Sequence, residues 1–284
     1  MVSLQVVEAP RDEPGLPLEL ERIIFEIVAS SCPKFIPVLM LVAARVRNWV
    51  EPLLYRVIYC SASAAPPATT KFPKLDSKKL LSIIETKSPK IFHSVRYLFI
   101  EDLTEEDANR VIGACSNVYQ LFEYYTPSHV DTFAALHHLR RLTIGLRQFL
   151  NRWRRRDDWD VAHVFTQLTH IEFMNTDGNG DVLGLCSILP LMSRLTHISL
   201  NSFLNHISVD DTMREQKTLL CIIALVPKWA ATADTHPLAD DDRFVCVQQH
   251  GSYRTDWLRG ADTGEDYWAL ADEFIMARRS GRVE

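Results

Sequence analysis

Two histidines occupy matching places in the two most similar stretches of the chain, Leu168-Thr169-His170-Ile171-Glu172-Phe173 and Leu195-Thr196-His197-Ile198-Ser199-Leu200. On neighbouring strands the imidazoles would stack on one face, and paired imidazoles are the beginning of a metal site. No cysteine or acidic third ligand sits at a useful spacing, so the expectation is a polar pair repeated on an exposed face. Asn175-Thr176-Asp177-Gly178-Asn179-Gly180-Asp181 has the composition of a calcium loop. A calcium loop beginning at Asp177 would need glycine where Val182 stands and an acid where Ile188 stands. The segment reads instead as a tight turn after a strand, with acids able to cap the helix that follows. No metal or cofactor is expected.

The sharpest electrostatic feature is basic: Arg140, Arg141, Arg147, Arg152, Arg154, Arg155 and Arg156, interleaved with Trp153 and Trp159. Guanidinium groups beside aromatic rings bind phosphate and stack on bases; they also supply hot spots at protein interfaces. Asp157, Asp158 and Asp160 follow at once, which favours a solvated, internally paired loop, then an acidic protein partner, and nucleic acid last. Arg147, Arg152, Trp153, Arg154 and Arg155 are the candidate target contacts. No nucleophile elbow, P-loop, Ser-x-x-Lys or His-Glu-x-x-His is present, and the reading is non-catalytic.

Composition narrows the classes. The net charge of −5, from 31 Lys+Arg against 36 Asp+Glu, argues against a general nucleic-acid binder. The longest apolar run, Leu219 to Val226, falls far short of the roughly 20 residues that span a bilayer. The six scattered cysteines form no Cys-x-x-Cys pair, so reduced thiols and a cytoplasmic or nuclear setting are expected. Residues 1–15 are acidic and proline-containing with no apolar signal core, and read as a flexible tail.

The elements that would position these residues recur. Strand-like runs begin at Val95, Val118, Leu139, Leu168 and Leu195, at spacings of roughly 20 to 30 residues, the period of leucine-rich repeats. Helical stretches fall between them: Thr104 caps one running to Cys115, and Val182 to Leu189 form another. Arg243 to Val247 reads as a last strand. Met213 to Val226 reads as a helix ended by Pro227, and Thr263 to Arg279 as a helix capping the open end of the stack. A doubly wound α/β enzyme would share this alternation but needs a glycine-rich strand–helix turn, which is missing. The predicted fold class is therefore mixed α/β, an irregular leucine-rich-repeat-like solenoid with parallel strands over residues 91–284. Residues 61–90 read as a linker and connecting helix.

The opening stretch, residues 16–60, is a different kind of structure: compact, apolar and helical. Leu16-Pro17-x-Glu19-Leu20-x-x-x-Ile24-Phe25-x-x-Val28, then Leu39-x-x-Val42-x-x-x-Val46-x-x-Trp49, resembles the F-box. With Glu51-Pro52-Leu53-Leu54-Tyr55-Arg56 behind the tryptophan, it is similar to the F-box-like families of mushroom-forming fungi. The resemblance implies a trihelical module that binds the Skp1-type adaptor of an SCF-type (Skp1-cullin-F-box) ubiquitin ligase, and a repeat region that binds a protein target. It assigns adaptor docking to Leu16, Pro17, Leu20, Ile24, Phe25, Ile27, Val42, Val46 and Trp49, some of which must instead hold the module together. It also implies a monomer within a hetero-complex, with no membrane partner. The family's Val-Cys-Arg-x-Trp core is replaced here by Val42-Ala43-Ala44-Arg45-Val46-Arg47-Asn48-Trp49. The alternative is therefore a repeat-based scaffold with a degenerate F-box that recruits no ligase. An enzyme using Asp and His residues near the strand ends is the third reading.

Overall fold

A computed structural model of the chain describes residues 16–61, 72, 74–124, 132–133, 135–154, 163, 165–174, 179–200, 207–226, 236–248 and 252–282. The chain divides into two compact units, with the boundary between Leu54 and Tyr55.

The first unit is helical. The Pro17 carbonyl accepts from the N–H groups of Leu20 and Glu21 to start α1 (Leu18–Ser31), and Glu19 and Glu21 complement the positive end of its dipole. Pro33 opens a short 3-10 turn that leads into α2 (Ile36–Leu39), and α3 (Ala44–Val50) follows. The core is small: Ala29, Ile36, Val46 and Val50 are fully buried, with Phe25, Leu39 and Trp49 packed against them. At the surface Arg45 Nη2 of α3 meets Glu21 Oε1 of α1 at 2.9 Å.

The second unit is a parallel sheet with helices. In chain order its elements are β1 (Val57–Ser61), β2 (Lys74–Leu75), α4 (Ser77–Thr86), α5 (Pro89–Phe92), β3 (Tyr97–Glu101), α6 (Glu105–Ala114) and β4 (Gln120–Tyr124). There follow β5 (Arg141–Gly145), α7 (Leu146–Arg154), β6 (His170–Met174), α8 (Asn179–Ile188), β7 (His197–Leu200), α9 (Ile207–Glu215), β8 (Cys221–Val226) and β9 (Phe244–Gln248). Two helices, α10 (Tyr253–Thr263) and α11 (Tyr267–Arg279), complete the described chain. The sheet order is β2-β1-β3-β4-β5-β6-β7-β8-β9, with every pairing parallel. From β3 on, each strand is laid beside the one before it. The order reverses once, where β1 lies between the two-residue β2 and β3, and from there it runs in one direction to β9.

The register shows why the sequence repeats. Ile58, Leu98, Leu121, Leu142, Ile171, Ile198, Ile222 and Phe244 stand side by side on one face, all buried. Leu80 of α4, Val111 and Ile112 of α6, Phe149 of α7 and Leu185 of α8 share that core. Val95, Val118, Leu139, Leu168 and Leu195, the residues that mark the start of each unit, are fully buried. Just beyond them the backbone forms its own ladder: the N–H groups of Tyr119, Arg140, Thr169 and Thr196 donate to the carbonyls of Arg96, Tyr119, Arg140 and Thr169.

Three expectations are corrected. Residues 221–226 are strand β8 and not the second half of a helix. Ile222, Ile223 and Val226 are β-branched, and the strand is buried on both faces, so its apolar run carries no alternation to separate it from a helix. Residues 57–60, read as the close of the helical module, belong to β1 and pair with β3. The largest correction concerns the C-terminus, where two helices lie across a sheet face in place of one cap at its end. On that face Tyr59, Phe99, Phe122, Thr143, Glu172, Ser199, Ile223 and Val245 form a continuous row. Trp257, Leu258 and Ala261 of α10 cover Val57, Tyr59, Phe99 and Phe122, while Trp268, Ala271 and Ile275 of α11 cover Cys221, Ile223, Leu225 and Val245. The aromatic members of the row make this burial obligatory, because an uncovered face would leave them in water.

The turn between α10 and α11 is tight. Gly264 takes φ +81 and its N–H donates to the Gly260 carbonyl at 2.9 Å. A Cβ at Gly260 would stand 2.7 Å from that of Asp266. Gly264→Ala is expected to lower stability by about 1 kcal/mol, because an L-residue disfavours the left-handed region; urea denaturation with an unchanged slope would show it.

Candidate functional site

Two surfaces carry the side chains with functional potential, one in each unit. In the helical unit, α1 and the segment after α2 present apolar residues to solvent. Leu20, Ile24 and Ile27, spaced to share one helix face, are 48%, 50% and 59% exposed, and Val42 is 60% exposed. Leu16 and Pro17 are exposed beside the helix start. The nine positions singled out in the sequence thus divide: these six face outward, Val46 is fully buried, and Phe25 and Trp49 are half-buried against the small core. Leu41 and Val38, which sequence reasoning passed over, extend the exposed set. Their signal was present in the run from Val38 to Val42, which has more apolar residues than so short a helix can bury. Gathered exposed apolar residues are a feature common to interaction surfaces.

In the sheet unit the polar groups gather between the sheet and the two C-terminal helices. Glu101, at the end of β3, is almost fully buried and receives Arg254 Nε at 2.9 Å and Arg254 Nη2 at 2.7 Å. Tyr253 and Ser61 also donate to it through their hydroxyls. Beside that carboxylate, burial raises the Tyr253 phenol above its ordinary range. Asp266 caps α11 through the Ala269 N–H at 3.0 Å and accepts from Arg141 of β5 at 2.9 Å. Glu172 of β6 accepts from Thr143 Oγ1 at 2.8 Å. Burial pushes its carboxyl up to about 7, with Asp256 and Asp266 adding to the shift and the Thr143 hydrogen bond offsetting part of it.

A cavity of about 150 Å³ opens here, lined among others by Gln120, Phe122, Glu172, Tyr253, Trp257 and Asp266. Of the charged groups lining it, Asp266 is tied to Arg141 of β5, and Arg259 to Asp256 and the Glu265 carbonyl. The raised Glu172 carboxyl carries a consequence for stability. A carboxyl whose folded value lies above its unfolded one favours folding below the unfolded value and loses that contribution as pH rises through the folded one. Stability should therefore decline between about pH 4.5 and 7 by an amount on the order of 3 kcal/mol. Glu172→Gln is expected to remove the decline, as read from urea midpoints at pH 5 and pH 8.

The two histidines do stack, with ring centroids 4.0 Å apart and planes 5° from parallel, as their matching positions require. The face they occupy is covered, however, and not exposed as expected. Trp268 of α11 stands edge-on to both rings, His197 is buried, and its Nε2 lies 3.0 Å from Asp272 Oδ1. Burial, with His197 and Arg141 close by, lowers the His170 imidazole to about 2, so it stays neutral. Cys221, the register neighbour of His197, is buried, and its thiol is pushed up to about 12.

Arg147 stands exposed on α7, whose Phe149 and Leu150 enter the core. The side chains of Arg152, Trp153 and Arg154, all of Arg155, and residues 175–178 lie outside the described residues, while Asn179, Gly180 and Asp181, expected in a tight turn, open α8 instead. Sequence reasoning did not single out Glu101, Asp266, Asp272, Arg254 or Cys221. Glu101 and Glu172 carried a usable signal, an acid within an otherwise apolar strand. The other residues reach the site by register or from the C-terminal helices. Among the described residues no helix is long and apolar enough to cross a membrane. No protein-family model matches the chain, and comparison with curated proteins gives no match.

Proposed function

We propose that the chain is a non-catalytic substrate-recognition adaptor. Its F-box-like helical unit docks on a Skp1-type protein of a cullin-based ubiquitin ligase, and its leucine-rich-repeat-like unit binds a protein target. The observation that carries this reading is the exposed apolar stripe Leu20, Ile24 and Ile27 of α1, continued by Leu16 and Val42, on a unit whose own core is only a few residues deep. The order of the motif residues supports the same assignment. From β3 to β9 the strands lie in sequence order, and the buried Val95, Val118, Leu139, Leu168 and Leu195 mark successive units, which supports the repeat reading of the second unit. Ubiquitin transfer would then depend on proximity of the target to the ligase.

The target surface is proposed on the outer helices and strand-end loops, with Arg147 and the neighbouring Arg152, Trp153, Arg154 and Arg155 as its first candidates. The face that repeat proteins commonly keep open is occupied here by α10 and α11.

The experiment is a pull-down of the full chain with a purified Skp1-type adaptor, beside a Leu20→Asp/Ile24→Asp variant. Each aliphatic side chain taken out of an interface removes roughly 1.5–3 kcal/mol, so the double variant should bind at least about 100-fold more weakly. Equal binding by the folded variant would refute the docking surface. No binding by the folded wild-type chain would leave the scaffold reading, with the helical unit as a structural element alone.

A further inference from the structure

We propose that His197, Cys221 and Asp272 form a site for a divalent transition-metal ion of the zinc class, which fastens the last helix to the sheet. The three residues come from β7, β8 and α11, and their ligand atoms all lie within 4.8 Å of one another. His197 and Cys221 are direct register partners on adjacent parallel strands, so both point to the same face, and Asp272 reaches them from the helix packed on that face. One nitrogen, one sulfur and one oxygen donor is a set that suits zinc or cobalt and does not suit calcium or magnesium, which take oxygen ligands. A fourth position is left for water.

The contacts around His197 hold its ring with Nε2 toward Asp272. Thr196 Oγ1 donates to the Thr169 carbonyl at 3.1 Å, and the same oxygen lies 2.7 Å from His197 Nδ1. A proton on Nδ1, donated to that hydroxyl oxygen, is the tautomer that a metal-bound Nε2 requires. In that tautomer the Nε2 lone pair faces the Asp272 carboxylate across 3.0 Å, and an ion between them would take both as ligands. In the other tautomer an Nε2 proton bridges the two residues without a metal. The buried Cys221 sulfur on the neighbouring strand is what a proton does not use and a metal does. The orienting hydrogen bond to the distal ring nitrogen is the usual outer support of a metal-bound histidine. On binding, the thiol S–H bond breaks, its electron pair forms the metal–sulfur bond, and the proton leaves to solvent; no electrons are transferred. The thiolate and the carboxylate together balance the charge of the ion. This site stands independently of whether the helical unit docks on a ligase.

The test uses the full chain, freed of metal with a chelator and titrated with Co²⁺. The expected result is one equivalent bound with thiolate-to-cobalt charge-transfer absorption, displaced by Zn²⁺. Cys221→Ser should abolish that absorption, and Asp272→Asn should weaken binding at least about 100-fold. Thr196→Val, which removes a positioning residue, should weaken it about 10- to 100-fold. Cys246→Ser, on the next strand, should leave it intact. Absence of the charge-transfer band in the folded wild-type chain would overturn the proposal, as would its persistence in Cys221→Ser. Should Cys221→Ser fail to fold, alkylation mapped by mass spectrometry decides the question in the wild-type chain. Zn²⁺ must then protect Cys221 and leave Cys246 unprotected, and equal labelling of Cys221 with and without the metal would overturn the proposal.

Discussion

Deleting residues 252–284 is expected to yield a chain that unfolds or aggregates, and not one with an open, ligand-ready sheet face. The deletion uncovers Val57, Tyr59, Phe99 and Phe122 toward one end of the sheet and Ile223, Leu225 and Val245 toward the other. Each large side chain returned to water forfeits roughly 1.5–3 kcal/mol, so the sum exceeds the whole stability of an ordinary domain. It also strands Glu101, which Arg254, Tyr253 and Ser61 now satisfy. The measurement is the soluble yield and near-ultraviolet circular dichroism of residues 1–251 beside the full chain. A soluble, cooperatively folding truncated protein would show the helix pair to be a removable lid.

The second large effect is local. Arg254→Ala is expected to destabilise the protein by about 3–5 kcal/mol, because it leaves a carboxylate buried without its ionic partner. Glu101 is 1% exposed, so it cannot turn to solvent for compensation. The double replacement Glu101→Gln/Arg254→Met should recover much of the loss, since both charges then vanish together. Urea denaturation of the two variants checks this. A single variant as stable as the wild type would mean that water reaches Glu101 freely.

These effects depend on contacts that the sequence does not display. The repeat was legible because Val95, Val118, Leu139, Leu168 and Leu195 hold one structural position, and the same core environment selects the same kind of residue each time. Helix starts were legible where a side chain caps locally, as Thr104 does for α6 through the Asp107 N–H at 3.2 Å. β8 was not legible, since a strand buried on both faces has lost the alternation by which strands are known. The covering of the sheet by α10 and α11 joins residues such as Glu101 and Arg254 from distant parts of the chain, and no local pattern encodes it. For the same reason a third ligand for His170 and His197 was not legible. Cys221 arrives through strand register and Asp272 through the folding-back of the C-terminus. In the helical unit the residue types were legible, but their division between core and surface was not, because leucine and isoleucine serve both equally.

The helix pair also alters how the sheet unit comes into being. An open stack of strand–helix units is quasi-one-dimensional: each unit rests on its neighbours, and the array can fray or grow from an end. Here Arg56, beside the first strand, donates to the carbonyl of Ala261 at 3.3 Å, and Glu101 of β3 is neutralised by Arg254. The chain's last helices are thereby stitched to its first strands. Fraying from either end must break that stitch, so the unit is expected to melt as one cooperative body with the slow folding of high contact order. On the ribosome the strands are made first and their aromatic face waits until α10 and α11 emerge. That interval is when the nascent chain is most exposed to aggregation and most in need of a chaperone.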